Sequence, residues 1–268
     1  MKHVIQINDR IKELFRKHKI FVQDDLQYNI FSGTVIFDET LRIEPYVELI
    51  ITGGILWSMG TSSYGMSLQL PVNTQVGRFC CLARDIKAFP KSDHHGERFS
   101  MSPITVQDQT YDRGNATRSH YGFIPISAGF EQSKGFLTEP TISLDEEPIV
   151  IGNDVWIGEA VRIKPGVHIG NGAAIGYGSI VTKDIPPYTV AAGSPAVARK
   201  QRFSDSIIER LEKLAWWQYP YWDLDGVRGG MPIEAFIDQV EKLAAEEKIR
   251  PYEPEPLTAR LLLDAADN

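Results

Sequence analysis

From Ile151 onward an aliphatic β-branched residue returns at every sixth position: Ile151, Ile157, Ile163, Ile169, Ile175 and Val181. Glycine follows at Gly152, Gly158, Gly170 and Gly176, and a second series of small or β-branched residues runs through Val155, Val161, Val167, Ala173 and Ser179. A period of six matches neither the 3.6 of an α-helix nor the alternation of a flat strand. It matches a parallel β-helix, in which three short strands and three turns close a triangular coil of about 18 residues. The aliphatic residue then points into the prism at each repeat. Coils stack at the inter-strand spacing of about 4.8 Å, so inward positions form ladders of like residues. Glycine suits the corner beside each ladder, where the backbone turns tightly. Residues 151–186 make two coils, and VGRFCCLARDIKA (76–88) supplies part of an earlier one.

The flanks read differently. In residues 1–30, Ile11, Leu14 and Phe15 recur at helical spacing behind Asn8 and Asp9, which predicts a short amphipathic helix. Residues 31–60 are rich in β-branched and aromatic residues around a Gly-Gly pair and predict short strands. Residues 64–75 read as a connection. Residues 89–148 form a long polar insertion with little periodicity, and such stretches inside a domain carry function or stay unstructured. Beyond the repeats a helix is expected with Ser204 as N-cap and Phe203 and Ile208 as its hydrophobic staple. A second helix starts at Pro232 and buries Ile233, Phe236, Ile237, Val240 and Leu243. The last residues read as a tail or a docking element. The expected division is an N-terminal extension (1–63), a β-helix domain (64–201) with the insertion 89–148, and a C-terminal helical region (202–268).

Composition narrows the function. The chain has 268 residues, 43% hydrophobic and 24% charged, which is ordinary for a globular protein. Its 28 basic and 35 acidic residues give a net charge of −7, which argues against a nucleic-acid partner. No run approaches the roughly 18–20 apolar residues of a membrane span, and the N-terminus lacks the apolar core of a signal peptide. The two cysteines, Cys80 and Cys81, are neighbours at repeat positions and read as packed side chains rather than a disulfide framework. A cytoplasmic protein is expected.

The segment IGNDVWIGEAVRIKPGVHIGNGAAIGYGSIVTKDIPPYTVAAGSPA resembles the hexapeptide-repeat acyltransferases, and RFSDSIIERLEKLAWW resembles their branch of type B chloramphenicol and streptogramin A acetyltransferases with polysaccharide and nucleotide-sugar relatives. The resemblance covers about 64–222. It implies a mainly β protein: a left-handed parallel β-helix with an extruded loop, an N-terminal α/β extension and C-terminal helices. It also implies a homotrimer with active sites between subunits, and acetyl-CoA or another acyl-CoA as donor. No metal is expected.

Acyl transfer to a hydroxyl or amine needs a base near neutrality, which histidine supplies. In the family a catalytic histidine stands nine places before a proline, with an aromatic residue or arginine and a serine or threonine between. Counting back from Pro103 selects His94, with Arg98 and Ser100 in register; His95 is the rival base. Asp93 and Glu97 are both candidates to orient the imidazole. His168 and His120 read as surface residues, with a place in the cleft as the alternative. The resemblance further maps CoA contacts onto Glu159, Tyr177, Thr182, Lys183 and Lys200. The chain departs from the pattern at Val197, where relatives carry a base; Arg199 and Lys200 are placed to compensate. The acceptor is expected to be a small molecule: a saccharide or nucleotide sugar, because the extension sets this chain apart from compact drug-modifying enzymes, or alternatively an antibiotic. Two other classes remain: a zinc carbonic anhydrase, which needs three converging histidines that the adjacent His94-His95 pair does not offer, and a non-catalytic scaffold subunit.

Overall fold

The computed structural model describes residues 1–24, 33–51, 54–66, 68–89, 106–107, 139–140 and 147–267. The chain forms two compact units, one of Met1–Phe89 with Glu147–Asn268 and one of Pro90–Glu146. Within the second, Val106–Gln107 pairs in parallel with Glu139–Pro140.

The larger unit is a prism of three parallel sheets. On the first face Val150–Ile151 lies between Gln75–Val76 and His168–Ile169. On the second Trp156–Ile157 lies between Cys81–Leu82 and Ala174–Ile175. On the third Arg162–Ile163 lies between Lys87–Ala88 and Ile180–Val181. Each rung from 150 onward meets the residue 18 places later on the same face (Val150 with His168, Trp156 with Ala174, Arg162 with Ile180). The expected ladder is therefore the core: Ile151, Ile157, Ile163, Ile169, Ile175 and Val181 are all buried, and so are Val155, Val161, Val167, Ala173 and Ser179.

The coil begins far earlier than the sixfold repeat. Ile20–Asp24 pairs in parallel with Val47–Ile51, which pairs with Tyr64–Met66, which pairs with Cys81–Leu82. Arg42–Ile43, Ser58–Met59 and Gln75–Val76 continue the first face. Residues 64–75, read as a connection, thus contain a rung. One edge of the prism explains why these coils hide from the eye. Tyr46, Ser62, Phe79, Asp154, Gly172 and Tyr188 stack on it in register, and each has a positive φ between 50° and 66°. A left-handed corner admits these side chains at a cost of roughly 1–2 kcal/mol apiece, so glycine marks it only at Gly172 among the six.

Asparagines tie this edge together. The Asn153 side-chain carbonyl accepts the Arg78 N–H at 2.8 Å. The Asn171 carbonyl accepts the Asn153 backbone N–H at 2.8 Å and its amide at 3.0 Å.

Helix α1 (Asp9–Lys17) is capped by Asn8, whose side chain accepts the Ile11 N–H at 2.9 Å. It buries Ile11 and Phe15 in the same core. Helix α2 (Asp205–Leu214) starts after Ser204, but the Ser204 side chain makes no cap bond and meets Ser206 instead. Helix α3 (Ile233–Ala245) packs with α2 in a second apolar cluster built on Tyr188, Leu211, Ile237 and Val240. The C-terminus docks. Leu257–Thr258 pairs antiparallel with Arg42–Ile43, and α4 (Ala259–Ala266) accepts the Asn8 amide on the Ala265 carbonyl.

Candidate functional site

The described candidates sit on one face and two edges of the prism. The face carries an outward row in perfect register: Phe21, Glu48, Tyr64, Cys81, Trp156, Ala174, Val190 and Lys200. Trp156 is exposed because its ladder neighbours, Cys81 and Ala174, are small. Lys200 is exposed on the antiparallel strand Val197–Gln201 that closes this sheet.

One edge leaves that face after Ile157 and Ile175. Glu159 and Tyr177 stack on it one coil apart; the Gly178 N–H donates to the Glu159 carbonyl at 2.9 Å. Tyr177 is 73% exposed. Gly193 stands above Tyr177 in the same register, since Ala174 pairs with Val190. Thr182 and Lys183 lie on the next edge, just after Ile180–Val181. The fold thus brings Glu159 and Tyr177 together, sets Lys200 on the adjoining face and holds Thr182 and Lys183 apart from them.

Beside the Lys183 edge runs a groove of about 360 Å³, lined by Val150, His168, Asn171, Asp184 and Pro187 among others. The Asp184 carboxylate accepts the His168 backbone N–H at 2.8 Å, which fixes the turn that presents Lys183. His94, His95, Asp93, Glu97 and His120 lie outside the described residues.

Other ionisable groups are structural. Cys80 is buried; desolvation pushes its thiol up to about 12, partly offset by hydrogen bonds from the Val155 backbone and Ser63. Burial also raises the Asp154 carboxyl, against the Arg202 guanidinium 3.1 Å away. Trp216 packs at a tilt on Phe79 at 4.9 Å and edge-to-face with Phe236 at 5.8 Å, as a residue that docks the helices. Among the described residues no helix is long and apolar enough to cross a membrane. Arg199, named with Lys200 in the sequence reading, sits at a one-residue slip in the pairing of Val197–Gln201 with Thr189–Ala192, which leaves no mark in composition or period.

Known proteins share this architecture's sequence. The pattern of the bacterial transferase hexapeptide (six repeats) family matches residues 148–183. A chloramphenicol acetyltransferase of Morganella morganii is 51% identical over 83 residues, 31% of this chain and 38% of that protein. The galactoside O-acetyltransferase of Escherichia coli K12 is 69% identical over 48 residues, 18% of this chain and 24% of that protein. The chain therefore spans well under half the length of these two relatives. A probable macrolide acetyltransferase of Lysinibacillus sphaericus is 37% identical over 144 residues, which cover 54% of this chain and 68% of that protein. With a relative matched over two thirds of its length, and the six-residue period realised as stacked coils, the chain belongs to the bacterial hexapeptide-repeat transferase family.

Proposed function

We propose that this protein is an acyltransferase that moves an acetyl group from acetyl-CoA, or another acyl-CoA, to a hydroxyl or amine of a small acceptor. The observation that carries the reading is the 37% identity across 68% of a relative named as a macrolide acetyltransferase. The coil is left-handed and the working unit a cytoplasmic homotrimer with sites between subunits. In this proposal 1–63, 64–201 with insertion 89–148, and 202–268 remain the working divisions, although the ladder of coils crosses residue 63.

In this reading Glu159, Tyr177, Thr182, Lys183 and Lys200 hold the donor. The exposed edge of Glu159 and Tyr177 suits an extended arm, and the exposed ammonium groups of Lys183 and Lys200 suit its phosphates. His94 is the general base. It takes the acceptor proton as the acceptor oxygen or nitrogen attacks the thioester carbonyl; the C–S bond breaks and the thiolate leaves with a proton from the imidazolium. A burial-inert Cys80 fits direct transfer without an acyl-enzyme.

The acceptor in this proposal is a saccharide or nucleotide sugar, on the strength of the N-terminal coils. An antibiotic is the second reading, favoured by the names of the chloramphenicol and macrolide relatives. Thiol release from acetyl-CoA is to be followed with amino sugars, nucleotide sugars, chloramphenicol, a streptogramin A and a macrolide. Acceptor-dependent release that falls about 10²–10⁴-fold in His94→Ala is expected. Full activity in that variant moves the base to His95; acetyl-CoA binding without turnover means the panel lacks the acceptor, and a protein that binds neither acetyl-CoA nor other acyl-CoAs favours the scaffold reading.

A further inference from the structure

The prism edge that carries Asp154, Gly172 and Tyr188 holds neither Glu159 and Tyr177 nor Lys183. Over this edge, helices α2 and α3 and the segment between them enclose a cavity of about 310 Å³. The rings of Phe203, Trp216 and Phe236 form apolar walls. Its polar groups come from Tyr188, Asp154, Arg202 and Arg228.

Tyr188 is 1% exposed, and its ring fills the space that a side chain on Gly172 would take. Its hydroxyl is buried with no hydrogen bond to any described residue. The Trp216 indole leans toward the phenol oxygen, and an indole N–H only donates. The phenol proton is therefore without an acceptor. Burial holds that proton in place, so Tyr188 is a donor throughout the neutral range. A buried donor left unpaired costs stability, and folded proteins keep few of them.

The charges around the cavity favour an anion as the missing acceptor. Arg202 uses only its Nη1 on the described residues, at 3.1 Å to Asp154 and 2.7 Å to the Gly172 carbonyl. Its guanidinium stands 5.5 Å from the centre of the Tyr188 ring and 5.3 Å from that of Phe203. Arg228 is exposed at the rim and makes no ion pair among the described residues. Two guanidinium groups against one carboxylate leave the cavity with an excess of positive charge.

We infer that this cavity binds a small aromatic carboxylate. The ring lies among Phe203, Trp216 and Phe236, and the carboxylate accepts the Tyr188 O–H beside Arg202 and Arg228. The site stands on a different edge from the proposed donor contacts, so it holds whether or not acetyl-CoA binds.

Calorimetry on the full-length protein tests this. Phenylacetate is the probe, benzyl alcohol supplies the ring without the charge, and acetate the charge without the ring. Wild type should bind phenylacetate saturably at millimolar concentration, and more tightly than either control. Tyr188→Phe should weaken phenylacetate about tenfold, the loss of one hydrogen bond to a charged group. Without ligand, the unfolding midpoint of Tyr188→Phe should equal or exceed that of wild type, because an unpaired hydroxyl has been removed. Arg228→Gln should weaken phenylacetate several-fold and leave benzyl alcohol unchanged. The site is refuted if wild type takes up no phenylacetate, for the hydroxyl then meets only water. It is refuted equally if Tyr188→Phe binds phenylacetate as wild type does. A ligand-free Tyr188→Phe that unfolds well below wild type has the same force, since the phenol then already has its acceptor. Acetate or benzyl alcohol binding as tightly as phenylacetate overturns the ligand class.

Discussion

Gly172 and Gly178 occupy matching corners of successive turns, with φ of +66° and +64°, but their surroundings differ. A Cβ on Gly172 would stand 2.4 Å from the ring of Tyr188, while nothing lies within 4 Å of one on Gly178. Alanine at 178 therefore meets only the left-handed backbone, roughly 1–2 kcal/mol. Alanine at 172 adds overpacking against a buried ring, another ~1–3 kcal/mol. Urea unfolding should rank Gly172→Ala well below Gly178→Ala; equal midpoints would mean that Tyr188 yields freely. Cys80 gives a second prediction at this scale. Its folded thiol keeps its proton to about 12, while an unfolded thiol loses it near 8.5. The unfolded state sheds its proton first, so the stability from neutral Cys80 is complete below about pH 8.5 and is lost as pH rises toward 12. Unfolding followed from pH 7 to 10 should fall more steeply in wild type than in Cys80→Ala, by up to about 1.4 kcal/mol per pH unit. Parallel slopes would place the thiol in contact with water. Neither residue's role is visible in composition. The Ile and Val positions that fill the prism were legible, because burial on all three faces demands the same residue type at a fixed period. Tyr188 was not, since its ring depends on a neighbour 16 positions away.

Strands and helices meet at Arg78. Its guanidinium is paired with both Glu44 oxygens at 2.7 and 2.8 Å, and donates to the Tyr252 carbonyl at 2.9 Å. Longer contacts at 3.4 Å reach the carbonyls of Trp217 and Gln218. One side chain thus fastens the segment after α2 and the segment after α3 to two rungs of the prism. Both partners are mostly buried, at 16% and 23% side-chain exposure, so removing one leaves an uncompensated charge. Arg78→Ala should cost about 3 kcal/mol, near the lower end of the range for a broken buried pair. Hydrogen exchange should rise at 216–224 and 250–253 before it rises in the rungs at 151–181. Uniform exchange would show that the aromatic contacts of Trp216 hold the helices unaided. Elements were legible here in proportion to their locality. The α1 cap and apolar face lie within nine residues of sequence, and α3 within thirteen. The early rungs were not, because Glu48, Tyr64 and Cys81 are spaced 16 and 17 residues apart and not 18, with corners that carry Tyr46 and Ser62 in place of glycine. The edge proposed for the donor was singled out only through family resemblance: the positions of Glu159 and Tyr177 follow from the coil, but nothing in a corner's spacing says what it binds.

At the scale of the molecule, the sheet face from Phe21 to Lys200 poses a question of solvent. Phe21 is 56% exposed, Tyr64 38% and Trp156 49%, along one row of a sheet eight strands wide. The rows inside the prism are finished by its own three faces, but among the described residues no further layer covers this row. Aromatic side chains on a flat, regular surface gain most where a second surface excludes water from them. The proposed homotrimer would provide that surface, and would set each subunit's edge beside a neighbour, where the proposed donor site needs a second wall. Sedimentation equilibrium at micromolar concentration should therefore give three times 30.1 kDa. Trp156→Glu, which sets a charge in the middle of the row without touching the inward ladder, should shift the distribution toward smaller species while the far-ultraviolet spectrum stays that of wild type. Acetyl transfer should fall with the trimer fraction, not independently of it. A wild-type monomer with full activity would place the whole donor site on one chain, and the aromatic row would then be a surface for the acceptor instead.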